Sequence, residues 1–253
     1  MPRVAIVGGG PGGLLTAHLL ERKYPGACRI TLFEASHRLG GKIRTCRFAS
    51  APVPYEAGVA GCYDYSIAGR DPLSDLIQEL GLETTPNDGG TVALDGRALR
   101  EPADICRCCV YDESSRQECG GYGVLGWLLA GSAAWRMANL DDRSLADLVL
   151  HALPDRLYEE GAQCLLETKV HRWSGAVSAQ PGGLPVEDPR LAHVPEPEEH
   201  PDLFVVGDYL FDSTLNGVFH SADVATGLWC PRTIGRAPFA GAVESHLIGR
   251  EWI

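Results

Sequence analysis

The stretch that decides the fold runs from Arg3 to Leu20 and consists of Arg3-Val-Ala-Ile-Val7, Gly8-Gly9-Gly10-Pro11-Gly12-Gly13 and Leu14-Leu-Thr-Ala-His-Leu-Leu20. An apolar strand, a glycine-rich turn and an apolar helix in this order give the G-x-G-x-x-G pattern in its proper context. Gly8 is expected to allow the tight turn, Gly10 to let the backbone approach a pyrophosphate, and Gly13 to let helix and strand pack closely. The helix begins at Pro11, which has no N–H of its own, and the following first-turn residues from Gly12 on would offer their free N–H groups to the phosphates. The stretch therefore predicts a dinucleotide-binding α/β fold.

A second apolar run, Arg29-Ile-Thr-Leu-Phe-Glu34, ends in an acidic residue at the spacing that a dinucleotide fold requires. Such folds place a carboxylate about 20 residues beyond the glycine turn, where it accepts hydrogen bonds from ribose hydroxyls. We predict that Glu34, with Ala35 beside it, contacts the adenosine ribose. The alternative is a glycine-rich turn in an α/β protein that binds no cofactor.

A basic glycine turn, Arg38-Leu-Gly40-Gly41-Lys42, follows directly and carries a further cation at Arg44. Its paired glycines permit a close backbone turn, and its cations can neutralise a pyrophosphate from the side opposite the helix. The stretch Tyr55-Glu-Ala-Gly58 is predicted to form another turn near the cofactor.

Further along the chain, the predicted elements alternate between helices and strands. Asp71-Pro72 is expected to start a helix, with Asp71 as its N-cap, and Asp95-Gly96 to form a hairpin turn. The remaining predictions are strands at Cys108–Tyr111 and Val124–Ala130, a helix over Asp141–Leu153, a buried parallel-type strand at Leu203–Asp208, and a helix from about Ser221 to Trp229.

The composition excludes several classes of function. The 253 residues carry a formal net charge of −11, which argues against binding nucleic acid or anionic membranes through a basic surface. The longest apolar stretch, Gly123–Trp135, is too short for a membrane-spanning helix. Because the first strand begins at Arg3, no signal peptide is expected, and a cytoplasmic protein is the default.

Nothing in the sequence predicts a metal site. Nine cysteines are scattered through the chain, and the cluster from Cys106 to Cys119 (Cys106, Cys108, Cys109 and Cys119) lacks zinc-ligand spacing. These side chains are expected to pack as small hydrophobes. The acidic stretch from Glu187 to Asp202 is expected to be a solvated loop.

Taken in order, these motifs resemble the flavin-containing amine oxidase superfamily, which includes protoporphyrinogen-oxidase-like and phytoene-desaturase-like enzymes. The N-terminal resemblance covers Val4–Thr45, and the C-terminal one covers Trp173–Leu228. The resemblance implies that Leu203–Asp208 is the family's strand ending in Gly-acid, here Gly207-Asp208. It also implies that Gly217-Val218-Phe-His-Ser221-Ala222 is the helix start that faces the flavin. Trp173 lies where the family places an aromatic residue beside the isoalloxazine ring; the alternative is an ordinary core tryptophan.

Three departures from the family pattern carry consequences. Val218 replaces the tyrosine of the aromatic cage, which puts an amine substrate in doubt. No cysteine stands between Ser174 and Gly183, so the flavin is expected to be non-covalent. Between the predicted hairpin and Cys108 the long region of the family is absent, so the chain resembles a member with an internal deletion.

The resemblance thus predicts an α/β fold with a discontinuous, Rossmann-like FAD-binding domain over residues 1–100 and 170–230, a reduced and partly β substrate-domain remnant over 101–169, and a C-terminal tail over 231–253. It implies hydride transfer to flavin N5 from a C–H bond of a small molecule, either next to an amine nitrogen or in a C–C desaturation, with dioxygen or another acceptor reoxidising the flavin. No catalytic residue is identified beyond the flavin-adjacent candidate Trp173. The alternatives are a non-catalytic FAD-binding remnant and, ranked last, an NAD-dependent dehydrogenase.

Overall fold

A computed structural model describes residues 1–59, 61–64, 70–84, 91–92, 108–114, 120–153, 155–176 and 192–233. The chain divides into two compact units, Met1–Gly41 with Val177–Ile253 (unit 1) and Lys42–Ala176 (unit 2). These units are defined by compactness, whereas the predicted domains are defined by which part of the chain binds the cofactor and which the substrate. The bounds of the predicted domains therefore stay a prediction. Among the described helices, none has the length and apolar character needed to cross a membrane.

Unit 1 opens with strand β1 (Arg3–Val7), helix α1 (Pro11–Lys23) and strand β2 (Arg29–Phe33). The two strands pair in parallel with Val4 opposite Ile30 and Ile6 opposite Leu32, as a β-α-β crossover requires. These four residues share one face, where all are buried or half-buried. Residues of the opposite face are open to solvent, with 87% of Val7 and 55% of Phe33 exposed.

The last described helix, α6 (Leu215–Thr233), packs against α1 although almost two hundred residues separate them. Lys23 Nζ joins the two helices, donating to the Asp223 carbonyl and to Thr226 Oγ1, both at 2.9 Å. It also pairs with Asp223 Oδ1 at 2.8 Å. The rings of Tyr24 and Trp229 lie 6.0 Å apart beside this contact. The first helix of the chain and its last described helix therefore pack together within unit 1.

Unit 2 contains an antiparallel hairpin, a second small sheet and four helices within its described residues. The hairpin consists of β3 (Thr45–Arg47) and β4 (Pro54–Glu56), and the sheet has the order β5 (Thr91–Val92), β6 (Cys108–Asp112), β7 (Leu125–Leu129). The helices are α2 (Pro72–Glu79), α3 (Gly131–Met137), α4 (Asp142–His151) and α5 (Asp155–Cys164).

Local signals in the sequence place several of these elements correctly. Asp71 caps α2, accepting a hydrogen bond from the Leu73 N–H at 3.0 Å, and Asp141 caps α4 through Ser144 N–H at 2.7 Å. The predicted strands at Cys108–Tyr111 and Val124–Ala130 are confirmed as β6 and β7. The predicted Asp95-Gly96 turn lies outside the described residues.

Two predicted elements need correction. Leu203–Asp208 is not a ladder strand: among the described residues, the parallel sheet contains only β1 and β2, and Val205 N–H donates instead to the His193 carbonyl at 2.9 Å. An apolar run becomes a strand only where a neighbouring strand offers a ladder. Helix α6 begins at Leu215 rather than near Ser221, because Thr214 accepts the first helical hydrogen bond from Val218 N–H.

Candidate dinucleotide-binding site

The turn between β1 and α1 has the geometry that its glycines predict. Gly8 adopts a φ of 105°, a conformation that L side chains rarely adopt, and its N–H donates to the Phe33 carbonyl at 2.8 Å. A Cβ atom on Gly13 would overlap the carbonyl oxygen of Gly8. The predicted close packing of helix and strand at Gly13 is thus confirmed.

Gly10 differs from its neighbours because no contact among the described residues requires a glycine there. Its φ of −78° is open to any residue, and within the described part of the chain a Cβ would meet only Gly41 Cα, at 3.7 Å. Gly10 is also the N-cap of α1, which has no side-chain cap and no acidic residue in its first turn. By contrast, aspartates cap both α2 and α4. The N-terminus of α1 is therefore bare, and its partial positive charge has no counterpart in a capping side chain.

The basic glycine turn lies against this bare helix end. Gly40 donates its N–H to the Gly9 carbonyl at 2.7 Å, and a Cβ on Gly41 would come within 2.9 Å of Gly10 Cα. Arg38 donates to the carbonyls of Leu39, at 3.1 Å, and of Gly41. The two glycine turns thus meet as predicted, while the Arg38 guanidinium hydrogen bonds to its own turn.

Glu34 is fixed beside the turn by backbone donors on both carboxylate oxygens. Oε1 accepts from Ser36 N–H and Oε2 from Gly9 N–H, each at 2.7 Å. The hydrogen bonds from Ser36, and then that from Gly9, lower the pKa of Glu34 to about 2. Glu34 therefore remains an ionised acceptor, which suits the hydroxyl groups of a ribose and would repel a phosphate on the ribose 2′ position.

Gly9 is a site residue that the sequence reasoning missed. It occupies a variable position of the G-x-G-x-x-G pattern, yet a Cβ there would lie 3.0 Å from Glu34 Oε2 and 2.5 Å from Leu39 Cδ2. The signal that could have revealed it is the unbroken run Gly8-Gly9-Gly10.

The lowered pKa of Glu34 predicts how the stabilisation by this carboxylate depends on pH. Because the pKa falls from 4.5 to about 2 on folding, the carboxylate contributes stability above pH 4.5 and loses it as the pH falls toward 2. We expect the difference in unfolding free energy between the protein and Glu34→Gln to be constant above about pH 5.5 and to shrink below pH 4.5. Denaturant titrations at several pH values measure it; a difference that grows on acidification would contradict this assignment.

The C-terminal segments of unit 1 reach the same helix end. A Cβ on Gly12 would lie 3.5 Å from Val206 Cγ1 and 3.6 Å from Val218 Cγ1. Gly207 therefore follows a residue that touches the first turn of α1. The N-terminal and C-terminal segments of unit 1 therefore contact each other at this helix end, while their joint binding of one cofactor stays a prediction.

Other predicted residues of this region have roles within the protein. Asp208 Oδ2 accepts from Ser213 Oγ at 2.9 Å, and a Cβ on Gly217 would overlap the Asp212 backbone. Ser221 and Ala222 lie in the interior of unit 1 with no exposed surface. Of the predicted helix start, Gly217 and Val218 are in the first turn of α6, whereas Ser221 and Ala222 are in the second.

Unit 2 brings together the remaining predicted residues, Lys42, Gly58 and Trp173. Lys42 Nζ donates to the carbonyls of Gly175 and Ala176 at 2.7 and 3.2 Å. A Cβ on Gly58 would overlap the Lys42 carbonyl oxygen, and Trp173 Nε1 donates to the Ala57 carbonyl at 2.7 Å. The three residues therefore hold residues 173–176 against the end of the β3–β4 hairpin.

The hydrogen bond of Trp173 predicts a measurable contribution to the stability of unit 2. Trp173→Phe keeps an aromatic ring but removes the donor to Ala57, so we expect the free energy of unfolding to fall by about 1 kcal/mol. Trp135→Phe is the matched control, because Trp135 is 83% exposed and a surface change should have an effect within about 0.5 kcal/mol. Equal effects of the two substitutions in urea titrations would contradict this role for Trp173.

The acidic stretch from Glu187 to Asp202 contains a group of side chains that could ligate a metal ion. Within the described residues, Glu196, Glu199 and His200 bring ligand atoms within 4.8 Å of one another, and all three are exposed. Exposed acidic groups of this kind are ordinary surface features. Cys106 and Cys119 lie outside the described residues, and the side chains of Cys108 and Cys109 are likewise outside the description.

Two family models match this chain. Residues 6–79 match the NAD(P)-binding Rossmann-like domain, and residues 88–225, more than half of the chain, match the flavin-containing amine oxidoreductase family. The chain belongs to the flavin-containing amine oxidoreductase family.

Individual relatives agree with this membership. Protoporphyrinogen oxidase of Saccharomyces cerevisiae is 34% identical over 108 residues, which cover 40% of this chain and 19% of that protein. Prenylcysteine oxidase 1 of Mus musculus is 31% identical over 114 residues, covering 45% and 19%. An L-amino-acid oxidase of Neurospora crassa is 25% identical over 202 residues, covering 71% and 27%. The matches with the first two span about a fifth of those relatives' length.

Proposed function

We propose that this chain is an FAD-dependent oxidoreductase that holds its cofactor non-covalently at the turn of unit 1. The observation that carries the proposal is the bare N-terminus of α1 at Gly10, beside the ionised Glu34. A dinucleotide carries a pyrophosphate, which suits the helix N-terminus, and ribose hydroxyls, which suit the Glu34 carboxylate. Membership of a flavin-containing family supports FAD as that dinucleotide.

Each group in unit 1 has a distinct part in this proposal. Gly10 leaves room for the pyrophosphate, and the N–H groups of Gly12 and Gly13 donate to it. Glu34 accepts hydrogen bonds from the adenosine ribose, and Asp208 is assigned the ribityl or pyrophosphate region. When bound, FAD supplies hydride acceptance from a C–H bond of a small-molecule substrate, an amine or a C–C bond undergoing desaturation.

Several finer assignments belong to the proposal. Lys42, Gly58 and Trp173 are assigned to the cofactor through the family resemblance, and residues 101–169 to a reduced substrate domain. Dioxygen or another acceptor would complete the reaction. A cytoplasmic location is part of the same proposal.

Glu34→Gln should weaken FAD binding by about tenfold or more, because the ribose hydroxyls lose a charged acceptor. Glu167→Gln is the control: Glu167 also accepts two backbone N–H bonds, from Ala49 and Ser50 at 2.8 and 2.7 Å. The hydrogen bond from Lys169, and then that from Ser50, lower its pKa to about 2. Glu167 belongs to unit 2 and has no assigned contact with FAD. Titration calorimetry with FAD measures both variants, and an unchanged affinity in Glu34→Gln would overturn the role of Glu34.

The proposal as a whole is tested by the absorption spectrum of the purified protein before and after anaerobic addition of candidate amines. Flavin bands that bleach on addition support an oxidoreductase. Flavin bands that no substrate bleaches favour a non-catalytic FAD-binding remnant. A colourless protein that binds NAD in preference to FAD would overturn the proposal in favour of an NAD-dependent dehydrogenase.

A further inference from the structure

His193 is a buried polar residue with no part in the site described above. It has 0% of its surface exposed, and it precedes the proposed cofactor residues Gly207 and Asp208 by more than a dozen positions. No sequence motif marks it. Its contacts nevertheless connect both C-terminal segments of unit 1 that reach the α1 end.

The first set of contacts runs from the imidazole to helix α6. His193 Nε2 lies 3.1 Å from the Ser221 carbonyl oxygen and 3.2 Å from Ser221 Oγ. A carbonyl oxygen can only accept, so Nε2 carries the hydrogen and donates to Ser221. Ser221 is itself fully buried, so the ring fixes one point of α6 one turn beyond Val218.

The second set of contacts runs to the extended segment that ends at Gly207. The His193 carbonyl accepts from Val205 N–H at 2.9 Å. Ser221 Oγ, within reach of the His193 ring, accepts from Gly207 N–H at 3.1 Å. One residue therefore anchors residues 205–207 directly through its backbone and indirectly through Ser221.

We propose that His193 is a positioning residue that sets the Gly207-Asp208 turn relative to the first turn of α6, and thereby tunes the affinity of unit 1 for FAD. This inference rests on the proposed function. The segment 203–207 has no strand partner within the described residues, so it lacks the ladder that normally fixes such a segment. The His193–Ser221–Gly207 network supplies part of that missing restraint.

The test compares variants of the full-length protein by FAD titration and by thermal unfolding without FAD. His193→Leu removes the donor and is expected to weaken FAD binding by about tenfold. His193→Gln keeps an N–H donor and should bind within about threefold of the unchanged protein. Lys23→Met is the control, because it removes the ion pair and hydrogen bonds that join α1 to α6 without touching the His193 network. It should lower the melting temperature while FAD affinity stays within about threefold of the unchanged protein. The proposal is overturned if Lys23→Met weakens FAD binding as much as His193→Leu does. It is also overturned if His193→Leu does not weaken FAD binding.

Amide hydrogen exchange gives a readout that does not depend on FAD. Ser221→Ala keeps the Ser221 carbonyl for His193 but removes the acceptor of Gly207 N–H, so Gly207 should exchange faster while the amides of β1 keep their protection. Unchanged exchange at Gly207 would overturn the proposed restraint of Gly207 by the His193–Ser221–Gly207 network. Ser221→Ala tests this restraint even if His193→Leu does not fold. If the unchanged protein binds no FAD, the proposed function fails, while exchange at Gly207 separately shows whether the network restrains the turn.

Discussion

Gly10→Val is expected to give a folded protein that has lost its flavin. The backbone at Gly10 suits any residue, and among the residues that the structure describes a Cβ would meet only Gly41 Cα, at 3.7 Å. The fold should lose about 1 kcal/mol, because valine is a poor N-cap. The branched side chain would occupy the surface at the α1 N-terminus that we assign to the pyrophosphate. We expect FAD affinity to fall at least about a hundredfold, since charge-assisted hydrogen bonds are lost.

Gly13→Val is the matched comparison, because the same substitution three residues later has a different consequence. A Cβ at Gly13 would overlap the Gly8 carbonyl, so this variant should fail to fold rather than fold without flavin. Circular dichroism and flavin absorbance of both variants separate the two effects. A yellow Gly10→Val protein with unchanged FAD affinity would show that the pyrophosphate does not bind at this turn.

The second large effect is the stabilisation of the protein by FAD. The face of the β1–β2 sheet that carries Val7 and Phe33 is exposed, whereas parallel sheets normally have both faces covered. We therefore expect the protein to be marginally stable without FAD. FAD should raise the melting temperature in a concentration-dependent way, adding about 2.7 kcal/mol at a hundredfold excess over its dissociation constant.

The same exposed face predicts slow amine oxidation. Within the described residues little covers Val7 and Phe33 to exclude water, and the family resemblance implies that Val218 replaces the tyrosine of the aromatic cage. Turnover of common amines should stay below about 1 s⁻¹, the low end of ordinary enzyme rates. Steady-state oxygen consumption measures it. Turnover at ordinary enzyme rates would contradict the interpretation that the short chain has lost a closed substrate site.

The N-terminal half of the site was predictable because its geometry is local. Gly8 has a positive φ, and a side chain on Gly13 would overlap the Gly8 carbonyl five residues earlier in the sequence. Gly41 is required by one close contact with Gly10 in the neighbouring turn. Asp71 and Asp141 cap their helices through N–H groups two or three residues away. Such signals depend on short-range sterics and hydrogen bonding, which sequence spacing records directly.

The C-terminal half was harder to predict because its structure depends on distant partners. The apolar run Leu203–Val206 has the composition of a buried strand, but whether it forms one depends on whether a neighbouring strand is present. The β3–β4 hairpin was missed for a related reason: Glu167, in a distant segment, holds the Ala49 and Ser50 amides of its loop. His193 gives no signal in sequence, since its role follows only from folding onto Ser221.

The central claim is that unit 1 binds FAD at the α1 N-terminus, and one measurement tests it most directly. The protein is titrated with FAD by calorimetry, in parallel with Gly10→Val, and the flavin is then released by acid precipitation to show that it is not covalently bound. We predict saturable binding of one FAD per chain, abolished in Gly10→Val and fully released by acid. Absence of binding by the unchanged protein, or equal binding by both proteins, would contradict the account.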